Sequence, residues 1–242
     1  MNILILNKTN KYAFLIAVIM LCMVIEFTLS HAKGMITNMP EYKSETIKLP
    51  APLQNSNTST EEAILKRRSV RSYKDSPLTL KEISQLLWAA QGITDPRGLR
   101  AAPSAGALYP LEIYVIAGNV NDLPDGIYNY RPLKHELVTI VKGDKRNELC
   151  NAALGQSSIR SAAAVIVFSA VYERTTMKYG GRGIKYVHIE IGHAAQNVFL
   201  QAVSLDLGTV VIGAFNDDDV TEVLKMPDGE RPLYIMPVGR MK

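Results

Sequence analysis

The stretch Ile184 to Gly208, IKYVHIEIGHAAQNVFLQAVSLDLG, sets Val187, Ile191, Ala194, Ala195, Val198, Leu200, Ala202 and Leu205 around nearly the whole circumference of one helix. A helix apolar on most sides belongs in a core or a subunit interface, so the rest of the chain must supply a layer to cover it. The 242 residues suffice for one domain of ordinary size, and 47% apolar with 21% charged residues is globular composition. The net charge of +4 is modest and spread out, with no basic tract or aromatic ladder, which argues against a nucleic-acid partner.

Ahead of that helix, STEEAIL has Ser59 and Glu62 at capping-box spacing, which predicts a short helix ending at the following basic residues. SPLTLKEISQLLWAAQGI repeats the spacing with Thr79 and Glu82; Leu80, Ile83, Leu86, Leu87 and Ala90 form one face, and Gly92 is the expected stop. Strands are predicted at LEIYVIAG, DGIYNY, HELVTIV, AAVIVFSA, TVVIGAF and RPLYIMPVGR, and helices at KRNELCNAAL and NDDDVTEVLKM. Helices and strands alternate without a regular βαβ rhythm, which favours an α+β fold over a doubly wound one.

The N-terminus reads differently. Lys8 and Lys11 precede YAFLIAVIMLCMVIEF, an apolar run of about sixteen residues that leads to Ser30-His31-Ala32. This is the pattern of an export signal peptide over residues 1–32, cleaved after Ala32, with a retained membrane anchor as the alternative. Export places the mature chain outside the cytoplasm. Residues 33–58, rich in Pro, Asn, Ser and Thr, are expected to be an extended linker, leaving residues 59–242 as the folded domain. Cys22 falls in the segment expected to be lost, so Cys150 is the remaining thiol and no internal disulfide is expected.

Three constellations fail on geometry. His188 and His193 are five apart, roughly 140° around a helix, so HIEIGH does not converge on a metal, and the Glu190–His193 pair has no second copy. Both histidines are expected in core or interface roles. GGRG, residues 180–183, follows no clear strand and lacks the Lys-Ser pair of a phosphate loop. No nucleophile elbow occurs, and PSAGA does not replace one.

KRRSVRSY, residues 66–73, is the cluster that remains. Its cations suit the negative end of the preceding helix, which is the bland reading. Arg67 and Arg71 would repel each other at i, i+4 on a continued helix unless an anion lay between them, and guanidinium with adjacent hydroxyls makes a good phosphate clamp. DPRGLRAAPSAGALYP adds a loop of small residues able to approach a flat ligand closely.

RRSVRSY, APSAGALYPLEIYVI, GHAAQNVFLQAVSLDLGTVVIGAF and MPVGR together resemble, in order, the motifs of the nitroreductase superfamily of flavin mononucleotide (FMN) enzymes. PSAGALYPLEIYV and EIGHAAQN are similar to the SagB-type dehydrogenase branch that includes thiazole/oxazole oxidases. The resemblance covers about Thr60 to Arg240. It implies a homodimer whose mixed or antiparallel sheet is flanked by helices, hydride transfer through flavin N5, and a small-molecule substrate, with NAD(P)H as one candidate electron donor. By position, Arg67, Arg68 and Ser69 match the residues that hold the flavin phosphate and ribityl chain, and Arg71 the cation beside the pyrimidine edge. Pro103, Ser104 and Gly106 match the loop against which the ring lies, usually lent by the other subunit. Val211, Ile212 and Gly213 match the backbone passing N5, Gly213 tolerating no side chain, and Arg240 a second phosphate ligand.

Azoline-oxidising members of the branch carry a Lys-Tyr pair resembling Lys185-Tyr186, where an amine or phenol accepts a substrate proton; an exposed Lys beside a half-buried Tyr is the ordinary alternative. Two other functional classes stay open: a redox-silent module that binds flavin or another ligand, and a structural dimer whose clamp is empty.

Overall fold

The computed structural model describes residues 45–242 together with Met20. The signal-peptide or anchor segment and the first part of the expected linker lie outside the described residues. In chain order the elements are β1 (Thr46–Lys48), α1 (Thr60–Lys66), β2 (Leu78–Thr79), α2 (Leu80–Gln91), a 3-10 turn (Ala105–Ala107), β3 (Leu111–Ala117), β4 (Val120–Asn121), β5 (Gly126–Arg131) and β6 (Glu136–Lys142). They continue with α3 (Arg146–Ala152), α4 (Ser157–Ser161), β7 (Ala164–Val171), α5 (Glu173–Tyr179), α6 (Arg182–Ser204), β8 (Leu207–Thr209), α7 (Asp217–Leu224) and β9 (Glu230–Arg240).

Seven strands form one antiparallel sheet in the order β1-β6-β5-β3-β7-β9-β8, and β2 with β4 makes a small parallel pair. The α+β expectation is met. Alternation along the central strands builds the layers: Leu111, Ile113, Val115 and Ala117 of β3 face α2 and α6, while Tyr114 and Ile116 face α3, α4 and α7. The helix layers on the two faces thus enclose two cores with the sheet between them.

Both capping signals are realised. Thr79 accepts from the Glu82 amide while Glu82 Oε2 takes the Thr79 amide at 2.8 Å, closing the box at the start of α2. Ser59 accepts from the Glu62 amide at 3.1 Å, but the Glu62 carboxylate turns forward to Lys66 instead of closing a second box.

The long helix is covered on one side only. Val187, Ile191, Ala194, Ala195, Val198, Phe199 and Ala202 are buried, each large apolar side chain contributing about 1.5–3 kcal/mol. The opposite face, with Ile184, Lys185, His188, Ile189, Gly192, His193 and Gln196, is exposed. Neither histidine is in the core; His188 Nε2 lies 2.7 Å from the Tyr172 hydroxyl. GGRG proves to be the corner between α5 and α6, where a Cβ on Gly183 would stand 2.9 Å from Thr176 Cα.

Two expectations change. The expected linker carries β1, which pairs with β6 from Thr46↔Val138 to Lys48↔Glu136, and Leu49 beside it is buried. The strand expected over TVVIGAF is displaced: β8 ends at Thr209, and beyond it one isolated bridge joins Ile212 to Ile235. In that register Pro237 falls opposite Val210 and has no N–H to donate, so the ladder is interrupted there.

Candidate functional site

Arg67 is the C-cap of α1, the point at which the chain leaves the helix and becomes extended. Its guanidinium sits 5.1 Å from the centre of the Phe199 ring on α6, a cation–π contact that leaves its donors open. From there the backbone runs beside β8: Ser69 bridges Thr209, and the Val70 amide donates to Thr209 O at 2.9 Å. This pairing sets the basic segment against the chain leading to Val211, Ile212 and Gly213. Among the described residues, the side chains of Ser69 and Arg71 make no hydrogen bond or ion pair and are exposed. The spacing thus yields open donors on an extended strand and avoids the i, i+4 repulsion of a continued helix.

Two members of the expected clamp are otherwise engaged. Arg68 Nη1 donates to Leu65 O at 2.9 Å and to Arg67 O at 2.7 Å, terminating α1. Arg240 grips Glu82, with Nη1 2.8 Å from Oε1 and Nη2 3.0 Å from Oε2. Arg68 thus contacts the carbonyls at the end of α1, and Arg240 ties the last strand to the capping box of α2.

The loop of small residues runs antiparallel along α6. Asn197 Nδ2 donates to Ala101 O at 3.4 Å, Ser104 faces Glu190, and Gly106 reaches the corner between α5 and α6. Gly106 has φ +65°, the left-handed region that favours glycine, and a Cβ there would stand 2.8 Å from the Tyr179 hydroxyl, at the movable end of that side chain. Ser104 Oγ accepts from the Tyr109 amide at 2.9 Å, and Pro103 is exposed.

Lys185 and Tyr186 lie where this loop ends. The Tyr186 ring meets Tyr179 edge to face at 5.1 Å, and its hydroxyl accepts from Arg182 Nε at 3.1 Å. Lys185 is exposed, and its ammonium makes no hydrogen bond or ion pair among the described residues. Within one chain the sequence-derived site therefore falls into two parts: the clamp near Phe199, and the loop tip with the Lys-Tyr pair near Tyr186. Thirteen residues of helix separate Phe199 from Tyr186, roughly 20 Å at 1.5 Å per residue.

Gly213 is exposed, and a Cβ there would meet only the Tyr234 ring at 3.7 Å, which is ordinary contact. The chain itself does not exclude a side chain at 213, so the expected intolerance does not come from the protein's own packing.

Glu190, which the failed metal spacing leaves without a role in the sequence, is a buried carboxyl at 2% exposure. Burial pushes its pKa up to about 7 against the pull of Ser104, Arg100 and Gln91. Glu190 Oε1 and Gln91 Nε2 are both buried, without a hydrogen-bond partner among the described residues. The signal available in the sequence was a lone carboxylate on the apolar stripe of IEIGHAA.

The sequence profile of the nitroreductase family matches residues 64–240. The nitroreductase homologue MJ1384 of Methanocaldococcus jannaschii is 53% identical over 180 residues, covering 74% of this chain and 90% of its own length. A nitroreductase homologue of known structure from Ralstonia eutropha superposes with TM-score 0.72 at 30% identity, over 83% of this chain and 91% of that one. The microcin B17-processing protein McbC of Escherichia coli is 23% identical over 223 residues, 81% of this chain and 82% of its own, in line with the branch the motifs resemble. The FMN reductase (NADPH) of Bacillus subtilis is 29% identical over 191 residues, 75% of this chain and 65% of that protein. Clamp, loop, central helix and every strand of the sheet but β1 lie within the matched span, and the chain belongs to the nitroreductase family.

Proposed function

We propose that this protein is an FMN-dependent oxidoreductase that acts on a small molecule as a homodimer. The observation that carries the reading is the open clamp: among the described residues the side chains of Arg67, Ser69 and Arg71 make no hydrogen bond or ion pair, on a segment that Ser69 and Val70 pin to Thr209, just ahead of Val211, Ile212 and Gly213. Uncompensated guanidinium groups beside a hydroxyl fit a phosphate monoester, and the bare, exposed Gly213 fits the edge of a flat ring passing close to the backbone. FMN would supply two-electron hydride chemistry at N5.

The chain's own residues then divide the work. Arg67 and Ser69 bind the phosphate end. Arg71 places positive charge by the ring's pyrimidine edge, and Ser104 and Gly106 offer a surface of small groups. Lys185, solvent-facing, and Tyr186, oriented by Arg182 and Tyr179, are the polar groups of this chain that would meet a substrate at the loop tip. The roughly 20 Å between the two parts of the site supports a second subunit that brings one chain's loop to the other's clamp. The uncovered face of α6, with Ile184 at 47% and Ile189 at 44% exposure, offers the surface for it. The basic, apolar, small-residue order of residues 1–32 supports export, with NAD(P)H as one electron donor to be tested.

The visible absorbance spectrum of the purified protein, recorded before and after anaerobic addition of NADPH, is the test. Flavin bands that bleach support the proposal. Bands that persist with every donor tried leave a ligand-binding module, and no flavin after reconstitution with FMN removes the reading altogether.

A further inference from the structure

At the end of the sheet where β3 begins and β5 ends, a cavity of about 230 Å³ opens among residues that the flavin reading does not use. Arg100, Arg131 and Arg174 line it together with a single carboxylate, Glu112. That carboxylate is taken: Arg174 Nη2 donates to Glu112 Oε1 at 2.6 Å, and its Nη1 donates to Tyr109 O at 3.2 Å.

The other two guanidinium groups lack a counter-charge in contact. Arg100 is half-buried, lies 4.4 Å from the centre of the Tyr109 ring, and makes one side-chain hydrogen bond, Nη1 to Gln91 Oε1 at 3.2 Å. Most of its five donors are thus unengaged. Glu190 and Glu112 act on it only from a distance, without an ion pair. Arg131 makes no side-chain hydrogen bond or ion pair among the described residues; Glu136, its partner across β6, pairs with Lys134 at 3.9 Å instead. The half-buried Arg100 is costly to hold without compensation unless an anion joins it, Arg131 stands exposed at the mouth, and the planar fork of each matches a carboxylate. Leu111 and Ile113 close the floor from the core at 2% exposure each, and the accessible apolar surface is that of Pro132 and of Leu133, which is 81% exposed. The volume holds about seven waters at ~30 Å³ each and lies below the ~300 Å³ of a drug-sized pocket, so it suits a small ligand.

We infer that this cavity is a binding site for a small organic monocarboxylate, its carboxylate between Arg100 and Arg131 and its apolar body against Pro132 and Leu133. The inference stands apart from the flavin reading, since none of these residues belongs to the clamp.

Isothermal titration of the full chain with phenylacetate tests it, beside phenylacetamide, which keeps the shape and loses the charge, and inorganic phosphate, which keeps charge and loses the apolar body. Saturable phenylacetate binding, at least tenfold tighter than either control and weakened tenfold or more by Arg131→Glu, is expected. Arg131 is exposed at a strand end, so the melting temperature should stay within a few degrees of the parent. Should it not, Leu133→Glu, at a position 81% exposed, provides the same repulsion. Phosphate binding as tightly as phenylacetate would overturn the carboxylate assignment. So would an isotherm unchanged by the cavity variants, or one abolished by Arg71→Ala, which would move the ligand to the basic clamp.

Discussion

Arg240 and Glu82 stand 158 residues apart and meet through both guanidinium arms, at 2.8 and 3.0 Å. The same Glu82 oxygen that takes Nη2 also takes the Thr79 amide, so the final strand is fastened to the first turn of α2 by one carboxylate. Arg240→Ala should therefore cost about 1.5–3 kcal/mol of stability in urea denaturation, the worth of a charge-assisted hydrogen-bonded pair. Glu82→Gln combined with it should add less than the sum of the two single changes. A tenfold or greater loss of FMN affinity, with stability intact, would restore Arg240 to the phosphate site.

The three arginines of KRRSVRSY should separate by function. Arg67→Ala and Arg71→Ala are each expected to weaken FMN binding about 10–100-fold, since each removes charge-assisted donors that make no hydrogen bond or ion pair among the described residues. Arg68→Ala should change affinity by less than about threefold and instead lower stability by up to ~1 kcal/mol, through the lost contacts to Leu65 O and Arg67 O. Riboflavin, lacking the phosphate, should bind parent and Arg67→Ala alike; fluorescence quenching reads all of these.

Two glycines make opposite predictions. Gly106→Ala must accept φ +65° and a 2.8 Å approach to the Tyr179 hydroxyl, so it should destabilise the fold by about 1–2 kcal/mol. Gly213→Ala meets only ordinary contact with Tyr234 and should melt within a few degrees of the parent. If residues 211–213 pass the flavin ring, Gly213→Ala should nevertheless bind FMN more weakly, and unchanged affinity would remove that segment from the site.

Glu190 should give the protein a pH-dependent stability. Its carboxyl holds a proton to about pH 7 in the fold, against 4.5 as the ordinary value. The native state therefore binds more protons than the unfolded one between those values. The resulting stability is fully present at and below pH 4.5 and is lost as pH rises through 7, with a slope of at most ~1.4 kcal/mol per pH unit. Glu190→Gln should flatten that slope in denaturation curves collected from pH 5 to 8.

Much of this architecture was legible in the sequence where a local signal agreed with the tertiary outcome. Thr79 and Glu82 announced α2 because capping is decided within four residues, and the apolar runs of β3, β7 and β9 needed only burial on both faces. β1 escaped because three residues of alternation, Thr46 to Lys48, are indistinguishable from coil until β6 lies beside them. α5 escaped because ERTTMKY has two adjacent β-branched threonines in a seven-residue helix that packing must hold. The end of β8 was decided by Pro237 on another strand. At the site, residue types and order pointed to an anion clamp, whereas the engagement of Arg68 and Arg240 depends on carbonyls and a carboxylate brought up by folding. Glu190 looked like a misplaced charge because its neighbours Gln91, Arg100 and Ser104 are remote in sequence.

The seven-stranded sheet is bounded on both sides by three-residue strands, β1 and β8, so few backbone donors and acceptors are left free along its borders. On one side the cover is Thr46–Lys48, from a stretch that an expression strategy guided by composition alone would trim away. Cutting at residue 59 would bare the seven-residue β6 and its alternating ELVTIVK, a ready template for another chain. Preparations begun before residue 45 should stay monodisperse at concentrations where the shorter version clouds, so the apparent leader to the domain is also its guard against self-association.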